Sequence, residues 1–266
     1  MSPASSTSPS AIILAAGKGT RMKGDLPKVC FPVGGRAMVC AVVDACIAAG
    51  CADIVIVVGY KQELVREALK GYSVRFAVQD EQLGTGHAVG CAKPLFEGMP
   101  ASDVFVLCGD GPLIRASTLT TVLARHRATH AAATLATSVI DDPAGYGRIV
   151  RDAQGRFLRI VEQKNATEQQ RAIREVNPSY YCFRSDDLFR ALAHVRRNEV
   201  GGEYYLTDVP ELLAGEGKTV ELVDEVVAED VLSINTPEDL AHVDALYQKR
   251  QARPSTASPQ PCPGGG

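Results

Sequence analysis

Near the amino end, Lys18, Thr20, Arg21 and Lys28 follow the apolar run Ile12-Ile13-Leu14-Ala15-Ala16 across Gly17 and Gly19. Glycines let backbone N–H groups approach phosphate oxygens with no side chain in the way, and nearby cations offset the charge of a polyphosphate. The stretch therefore predicts a nucleotide ligand. It is not a P-loop, which needs four residues between its first Gly and Gly-Lys-Ser/Thr. Nor is it a dinucleotide fingerprint, because Met22 stands where the third glycine belongs. Neither an ATPase nor a dehydrogenase is the first expectation.

A second candidate is Asp110, which closes the apolar run Val104-Phe105-Val106-Leu107-Cys108-Gly109. At a strand end its carboxylate would emerge at the ligand edge of an α/β sheet, where Mg²⁺ is held by one or two carboxylates plus phosphate oxygens. Alone, it reads first as a cap or turn aspartate; beside the glycine loop, the metal reading moves ahead. Asn235, just before Thr236-Pro237-Glu238-Asp239, offers a neutral oxygen to the same ion, or simply begins a turn. Lys28, stiffened by Pro27, could neutralise charge on a phosphoryl group in flight, and Arg21 could do so with a forked guanidinium; each could also be a solvated surface cation. Gln79, Gln82, Gly84 and Thr85 lie in a polar loop, and an amide both donates and accepts, as a uracil edge does. Glu162 and Asn177 match sugar hydroxyl and acetamido groups in polarity, but no spacing requires that role.

These residues need elements to position them. Ile12–Ala15, Ile54–Val58, Val74–Val78 and Val104–Leu107 read as dense strands buried on both faces. Between them Met38, Val39, Val42, Val43, Cys46 and Ile47, then Leu64, Val65, Ala68 and Leu69, recur at helical spacing, the second group ending before Gly71. The βαβ rhythm predicts an α/β fold: a Rossmann-like, mostly parallel sheet with helices on both faces. After about Ala131 the rhythm loosens. Ile149–Val150 and Phe157–Val161 read as a hairpin and Tyr180–Phe183 as a further strand, together a smaller added β region for a second substrate. Thr236 and Pro237 supply the N-cap and first position of a last helix.

The composition sets bounds. A chain of 266 residues with 45% hydrophobic side chains suits one large core, and a net charge of -3 speaks against an electrostatic nucleic-acid or membrane binder. None of the eight cysteines forms a C-x-x-C pair, so most are expected to be buried small hydrophobes, with reduced thiols in a cytoplasmic protein. No secretory leader or bilayer-length apolar stretch is recognisable. Residues 1–10 and 252–266 read as disordered tails around a domain over 11–251.

With these residues in view, the chain resembles the sugar-phosphate nucleotidylyltransferases, specifically the uridylyltransferase region of the bacterial N-acetylglucosamine-1-phosphate uridylyltransferases. The likeness runs from about Ala11 to Tyr247 and rests on LAAGKGTRM, LPKV, EQLGTGHA, GDGPLI, DDPAGYGRI, VEQKNAT, GEYYLTD and IN. It implies the fold of nucleotide-diphospho-sugar transferases and transfer of UMP from UTP to a sugar 1-phosphate, with Mg²⁺. It also implies roles. Leu14, Ala15, Ala16, Gly17, Lys28 and Gly109 would meet the nucleotide, Gln79, Gly84 and Thr85 would read uracil, and Asp110 and Asn235 would hold Mg²⁺. Gly147, Glu162, Asn177 and Asn235 would face the sugar, with Lys28, Arg21 and Asp110 catalytic. Three departures fall on the sugar side: Cys108 replaces a usual Tyr, Gly111 a bulkier residue, and Pro178-Ser179 a usual Thr-Gly. Bifunctional members add an acetyltransferase domain that also builds their trimer; neither that activity nor an oligomeric state is expected from this sequence.

Overall fold

The computed structural model describes residues 8–22, 24–224 and 226–252. The chain runs β1 (Ser10–Ala15), the short ribbon β2 (Pro32–Val33) and β3 (Arg36–Ala37), α1 (Met38–Ala48), β4 (Asp53–Val58), α2 (Gln62–Ala68), β5 (Arg75–Val78) and α3 (Thr85–Ala92). There follow β6 (Asp103–Cys108), α4 (Ala116–Ala128), β7 (Ala133–Ala136), β8 (Ser138–Val139), β9 (Gly147–Arg151) and β10 (Phe157–Val161). The last part comprises α5 (Glu168–Arg171), β11 (Glu175–Asn177), β12 (Tyr180–Arg184), α6 (Ser185–Leu192), α7 (Val209–Gly215), β13 (Val220–Val223) and α8 (Pro237–Gln251).

The main sheet has seven strands in the order β13-β7-β12-β6-β1-β4-β5. All of its pairings are parallel except the two made by β12. β1 shows why the central strands read as unbroken apolar runs. Ala11, Ile13 and Ala15 enter the core on one face, and Ile12 and Ala16 the core on the other. In α1, Met38, Val39, Val42, Val43 and Cys46 are buried as their spacing predicts, but Ile47, in the last turn of the helix, is exposed. Gly71, at φ +99°, follows the end of α2 as a stop.

A second sheet, β10-β9-β11-β8, is the added β region, and its β9/β10 pair is the expected hairpin. The strand expected over Tyr180–Phe183 does not join it. β12 instead pairs antiparallel with both β6 and β7 in the main sheet, because its wholly buried Tyr181, Cys182 and Phe183 need cover on both faces. β7/β12 and β8/β11 are both antiparallel pairs, so two chain segments run from one sheet into the other as a single ribbon. That ribbon is interrupted at Thr137 on one side and Pro178-Ser179 on the other.

Ser179 sits at this break with φ +64°, a left-handed conformation that costs an L-residue about 1–2 kcal/mol. Its backbone N–H donates to the Asn177 Oδ1 at 3.1 Å, closing the turn around Pro178. Ser179→Gly is therefore expected to be more stable than Ser179→Ala by about 1 kcal/mol, reversing the usual order of those residues. Both variants lose the hydroxyl, so the difference in their urea midpoints isolates the backbone. Equal midpoints would remove the strain.

The boundaries expected for the domain need one adjustment: Ser10, placed in the tail, is buried and opens β1. Residues 1–7 and 253–266 of the expected tails lie outside the described residues. The cysteine expectation also needs correcting. Among the seven described cysteines, all free, Cys40, Cys46 and Cys182 are buried, whereas Cys30, Cys51, Cys91 and Cys108 are half-buried because they stand at element ends or helix margins. Among the described residues no helix is long and apolar enough to cross a membrane.

Candidate active site

The carboxyl ends of β1 and β6 lie side by side. The Gly109 N–H donates to the Leu14 carbonyl at 2.9 Å, which brings Asp110 beside the start of the glycine loop. A Cβ on Gly109 would stand 3.0 Å from that same carbonyl oxygen, so the close approach suits glycine. Asp110 in turn accepts the Ile234 N–H on its backbone carbonyl at 3.1 Å, tying β6 to the segment before α8. α8 opens with a capping box in which Thr236 and Asp239 bond reciprocally, and the Asp239 carboxylate also accepts the Asn235 N–H at 2.8 Å. Asn235 is thus fixed through its backbone while its side-chain oxygen stays directed at the sheet edge.

Three side chains meet there. Lys28 Nζ donates to Asp110 Oδ2 at 2.5 Å and to Asn235 Oδ1 at 2.8 Å, and Arg21 Nη2 donates to the same Asn235 oxygen at 2.9 Å. The Lys28 and Asp110 side chains are 15% and 21% exposed, so the pair is reachable yet poorly screened. A carboxylate oxygen and an amide oxygen already share one cation. Among the described residues no group of three or more His, Cys, Asp and Glu stands together as a metal cage.

Beside this cluster opens a cavity lined by Leu14, Ala16, Gly17, Gln79, Gln82, Gly84, Thr85, Ala88, Glu162, Lys164, Glu203 and Tyr205. Leu14, Ala16, Gly17, Gln79, Gly84 and Thr85, expected to meet the nucleotide, are therefore brought together, whereas Ala15 turns its methyl into the core. Gly84 carries φ +104°, and the loop it belongs to is strapped by the 203–206 segment. Tyr204 N–H donates to the Leu83 carbonyl at 2.7 Å, the Tyr204 carbonyl accepts the Gly86 N–H at 2.8 Å, and the Thr85 hydroxyl accepts the Leu206 N–H at 3.0 Å.

On the other side Gly147 and Asn177 are register partners in β9 and β11. A Cβ on Gly147 would lie 2.9 Å from the Ile160 side chain. Asn177 is 4% exposed, and its Nδ2 donates to the Tyr181 hydroxyl at 2.6 Å. Asn235 lies with the Lys28 and Asp110 group, and its hydrogen bonds go to Lys28, Arg21, Ser233 and Asp239 rather than to Gly147, Glu162 or Asn177. Glu162 Oε1 accepts the Thr207 hydroxyl at 3.0 Å. Burial pushes the Glu162 carboxyl above the usual carboxylate range, against the pull of the Thr207 hydrogen bond and the Lys164 charge. Burial, and then the nearby Asp110 charge, raise the Cys108 thiol to about 12, so it stands as a neutral, non-nucleophilic group. Gly111 is explained by Tyr180: a Cβ at 111 would lie 2.5 Å from the Tyr180 hydroxyl, which donates to the Asp230 carbonyl at 3.0 Å.

Sequence reasoning passed over Lys164, Glu203 and Tyr205 as wall residues, Thr207 as the partner of Glu162, and His87 as a partner of Gln79. All lie within the blocks VEQKNAT, GEYYLTD and EQLGTGHA, but only the folded chain brings these blocks together.

Asp208, at the end of the 203–208 segment, is raised to about 6 by burial, then by the charges of Glu211 and Glu162. Its folded value lies above the ordinary 3.8, so the native state holds its proton more tightly than the unfolded chain does. Stability from this group is present below about pH 4 and is lost as pH rises toward 6. Asp208→Asn is accordingly expected to stabilise the protein at neutral pH and to confer no gain below about pH 4. Urea midpoints of both proteins across that range check it, and a pH-independent difference would refute it.

A mostly parallel sheet with a glycine loop, a carboxylate and two cations at its carboxyl edge defines a nucleotide-handling α/β domain of the nucleotidyltransferase class. The chain belongs to the family of MobA-like NTP transferase domains, whose profile matches residues 11–205. It is 46% identical over 243 residues to the bifunctional protein GlmU of Geobacillus sp. (strain WCH70), covering 91% of this chain and 52% of the relative. It is 43% identical to the bifunctional protein GlmU of Pelobacter propionicus, covering 90% and 52%. The chain thus spans about half the length of these curated relatives. In fold it is similar to a Bacillus anthracis protein described as a glucose-1-phosphate thymidylyltransferase, solved with sucrose, at TM-score 0.73 and 19% identity, covering 90% of this chain and 95% of that one. A UDP-glucose pyrophosphorylase solved with UDP-glucose also has TM-score 0.73, at 16% identity, covering 92% and 100%.

Proposed function

We propose that this domain transfers UMP from UTP to a sugar 1-phosphate, most favourably N-acetylglucosamine 1-phosphate, releasing pyrophosphate and a UDP-sugar. The observation that carries the reading is one continuous site: Leu14, Gly17, Gln79, Gly84, Thr85 and Glu162 line a single cavity. The Leu14 carbonyl is bonded to Gly109 next to Asp110, and Lys28 joins Asp110 to Asn235. The bifunctional GlmU relatives and the sugar-nucleotide neighbours support it.

In this reading Gln79, Gly84 and Thr85 meet the base, Leu14 to Gly17 and Gly109 follow the ribose and phosphates, and Gly147, Glu162 and Asn177 face the sugar. An oxygen of the sugar 1-phosphate attacks the α-phosphorus of UTP. The bond from that phosphorus to the β-phosphate oxygen breaks, and pyrophosphate leaves with the electron pair. The acceptor brings its own anionic nucleophile, so no protein nucleophile is needed, in keeping with a Cys108 held neutral. Lys28 and Arg21 stabilise charge on the entering and leaving oxygens.

Asp110 and Asn235 would hold Mg²⁺ through hard oxygen donors, with substrate phosphate oxygens and water supplying its other ligands. Bound there, Mg²⁺ would neutralise triphosphate charge. Pyrophosphate release, measured with UTP or dTTP against N-acetylglucosamine, glucose and N-acetylgalactosamine 1-phosphates, tests the proposal. The expected result is fastest turnover with UTP and N-acetylglucosamine 1-phosphate. Preference for another hexose 1-phosphate or for dTTP would reassign the substrates. Tight UDP-sugar binding without any pyrophosphate release in Mg²⁺ would overturn the enzyme reading in favour of a sensor.

A further inference from the structure

Gln79 follows β5, lines the nucleotide cavity and is 3% exposed. Its Nε2 donates to the Gly84 carbonyl at 3.1 Å and lies 3.0 Å from His87 Nδ1. A carbonyl oxygen can only accept, so the carboxamide must turn its NH₂ toward Gly84. The second N–H of that NH₂ group then points at Nδ1, which must carry a lone pair. His87 is therefore the neutral tautomer with its proton on Nε2, the nitrogen that faces Cys91 Sγ at 4.0 Å, one turn along α3. Both Gln79 donors are consumed by the protein. Among the described residues no hydrogen bond is made to Oε1, which leaves the cavity wall with an acceptor and no donor at this position.

We propose that His87 is a positioning residue for base choice: its unprotonated Nδ1 locks the Gln79 carboxamide so that only Oε1 meets the nucleobase. Uracil and thymine carry an N–H at ring position N3, which that oxygen accepts. Cytosine has a bare N3 lone pair there, which it repels. Selection of UTP over CTP thus comes from a side chain that stands behind the base-reading amide. The Gly84 carbonyl is half of the lock and His87 the other half; without a lone pair at Nδ1 the amide gains freedom to flip and present NH₂.

This inference rests on the proposed use of UTP and deepens it. The test compares kcat/KM and calorimetric affinity for UTP and CTP in the full chain, His87→Phe and His87→Asn. Phe fills the ring's space with no lone pair, whereas the Asn side-chain oxygen can stand in for Nδ1. His87→Phe is expected to lower the UTP:CTP preference about 10-fold, the scale of one neutral hydrogen bond, and His87→Asn to restore most of it. A merely structural histidine would weaken both nucleotides alike and leave the ratio unmoved, and that outcome overturns the proposal. Nitrogen NMR of the His87 ring in the unsubstituted protein tests it without any variant: a proton on Nδ1 overturns it, and a proton on Nε2 supports it. If the unsubstituted protein neither binds nor turns over UTP, the functional reading fails and this inference with it. UTP turnover with an unchanged ratio sinks the role of His87 alone.

Discussion

Asp110→Ala is expected to lose at least about 10²-fold in turnover with UTP, Mg²⁺ and sugar 1-phosphate all saturating, the scale on which one preorganised charge-stabilising group acts. The loss has two parts. The carboxylate is the only charged oxygen donor in the Asp110–Asn235 pair, and it also holds Lys28 Nζ at 2.5 Å. Without it the ammonium keeps only the neutral Asn235 oxygen at 2.8 Å, so the cation that should meet developing phosphate charge is less well aimed. Asp110 is part-exposed and its backbone bond to Ile234 does not need the side chain, so the fold survives. Initial rates of pyrophosphate release, with a melting curve to show the variant is folded, decide the matter. Near-normal turnover in a folded variant would end the metal assignment.

Gly84→Ala is expected to cost on the order of 10²-fold in UTP affinity, with a lower melting temperature. The residue is held at φ +104°, ψ 177°, where an L side chain is strained by about 1–3 kcal/mol. The added Cβ would lie 2.5 Å from the Tyr204 carbonyl oxygen and 2.9 Å from both Tyr204 N and Glu203 Cβ. Those are backbone and near-backbone atoms strapped to the loop by the Leu83 and Gly86 hydrogen bonds, so neither side can yield without moving the other. Relief on the ångström scale displaces the Gly84 carbonyl that orients Gln79, and a misplacement of that size is enough for the stated loss. Isothermal titration with UTP measures it. Unchanged affinity would show that this loop does not touch the nucleotide.

The parts of the fold that were legible are those in which burial dictates composition. β1, β4 and β6 are covered on both faces, and so carry unbroken Ile, Val, Leu and Phe runs. β7 was missed because its Ala-Thr-Leu-Ala carries little strand signal; it is a strand because β12 and β13 pair with it on either side. β12 reads as a strand from its own residues but its sheet does not, since pairing partners 46 or more residues away leave no local mark. The site follows the same division. Lys28, Asp110 and Asn235 each stand in the blocks of resemblance, but bonds spanning 82 and 207 positions depend on topology alone. Glu162 could be read as a polar residue near the sugar, whereas its raised carboxyl value depends on burial that only packing reveals.

The second sheet enters and leaves the main one through β7 and β12, which are immediate neighbours about 4.8 Å apart. Everything from Thr137 to Ser179 is therefore a cassette hung on two adjacent joints, and the strand ends bearing Leu14 and Asp110 lie outside it. Such an insert can be lengthened, reshaped or exchanged between homologues by two crossovers while the edge that carries Leu14 and Asp110 keeps its register. If the proposed function holds, acceptor choice can drift on this scaffold at a different pace from the chemistry.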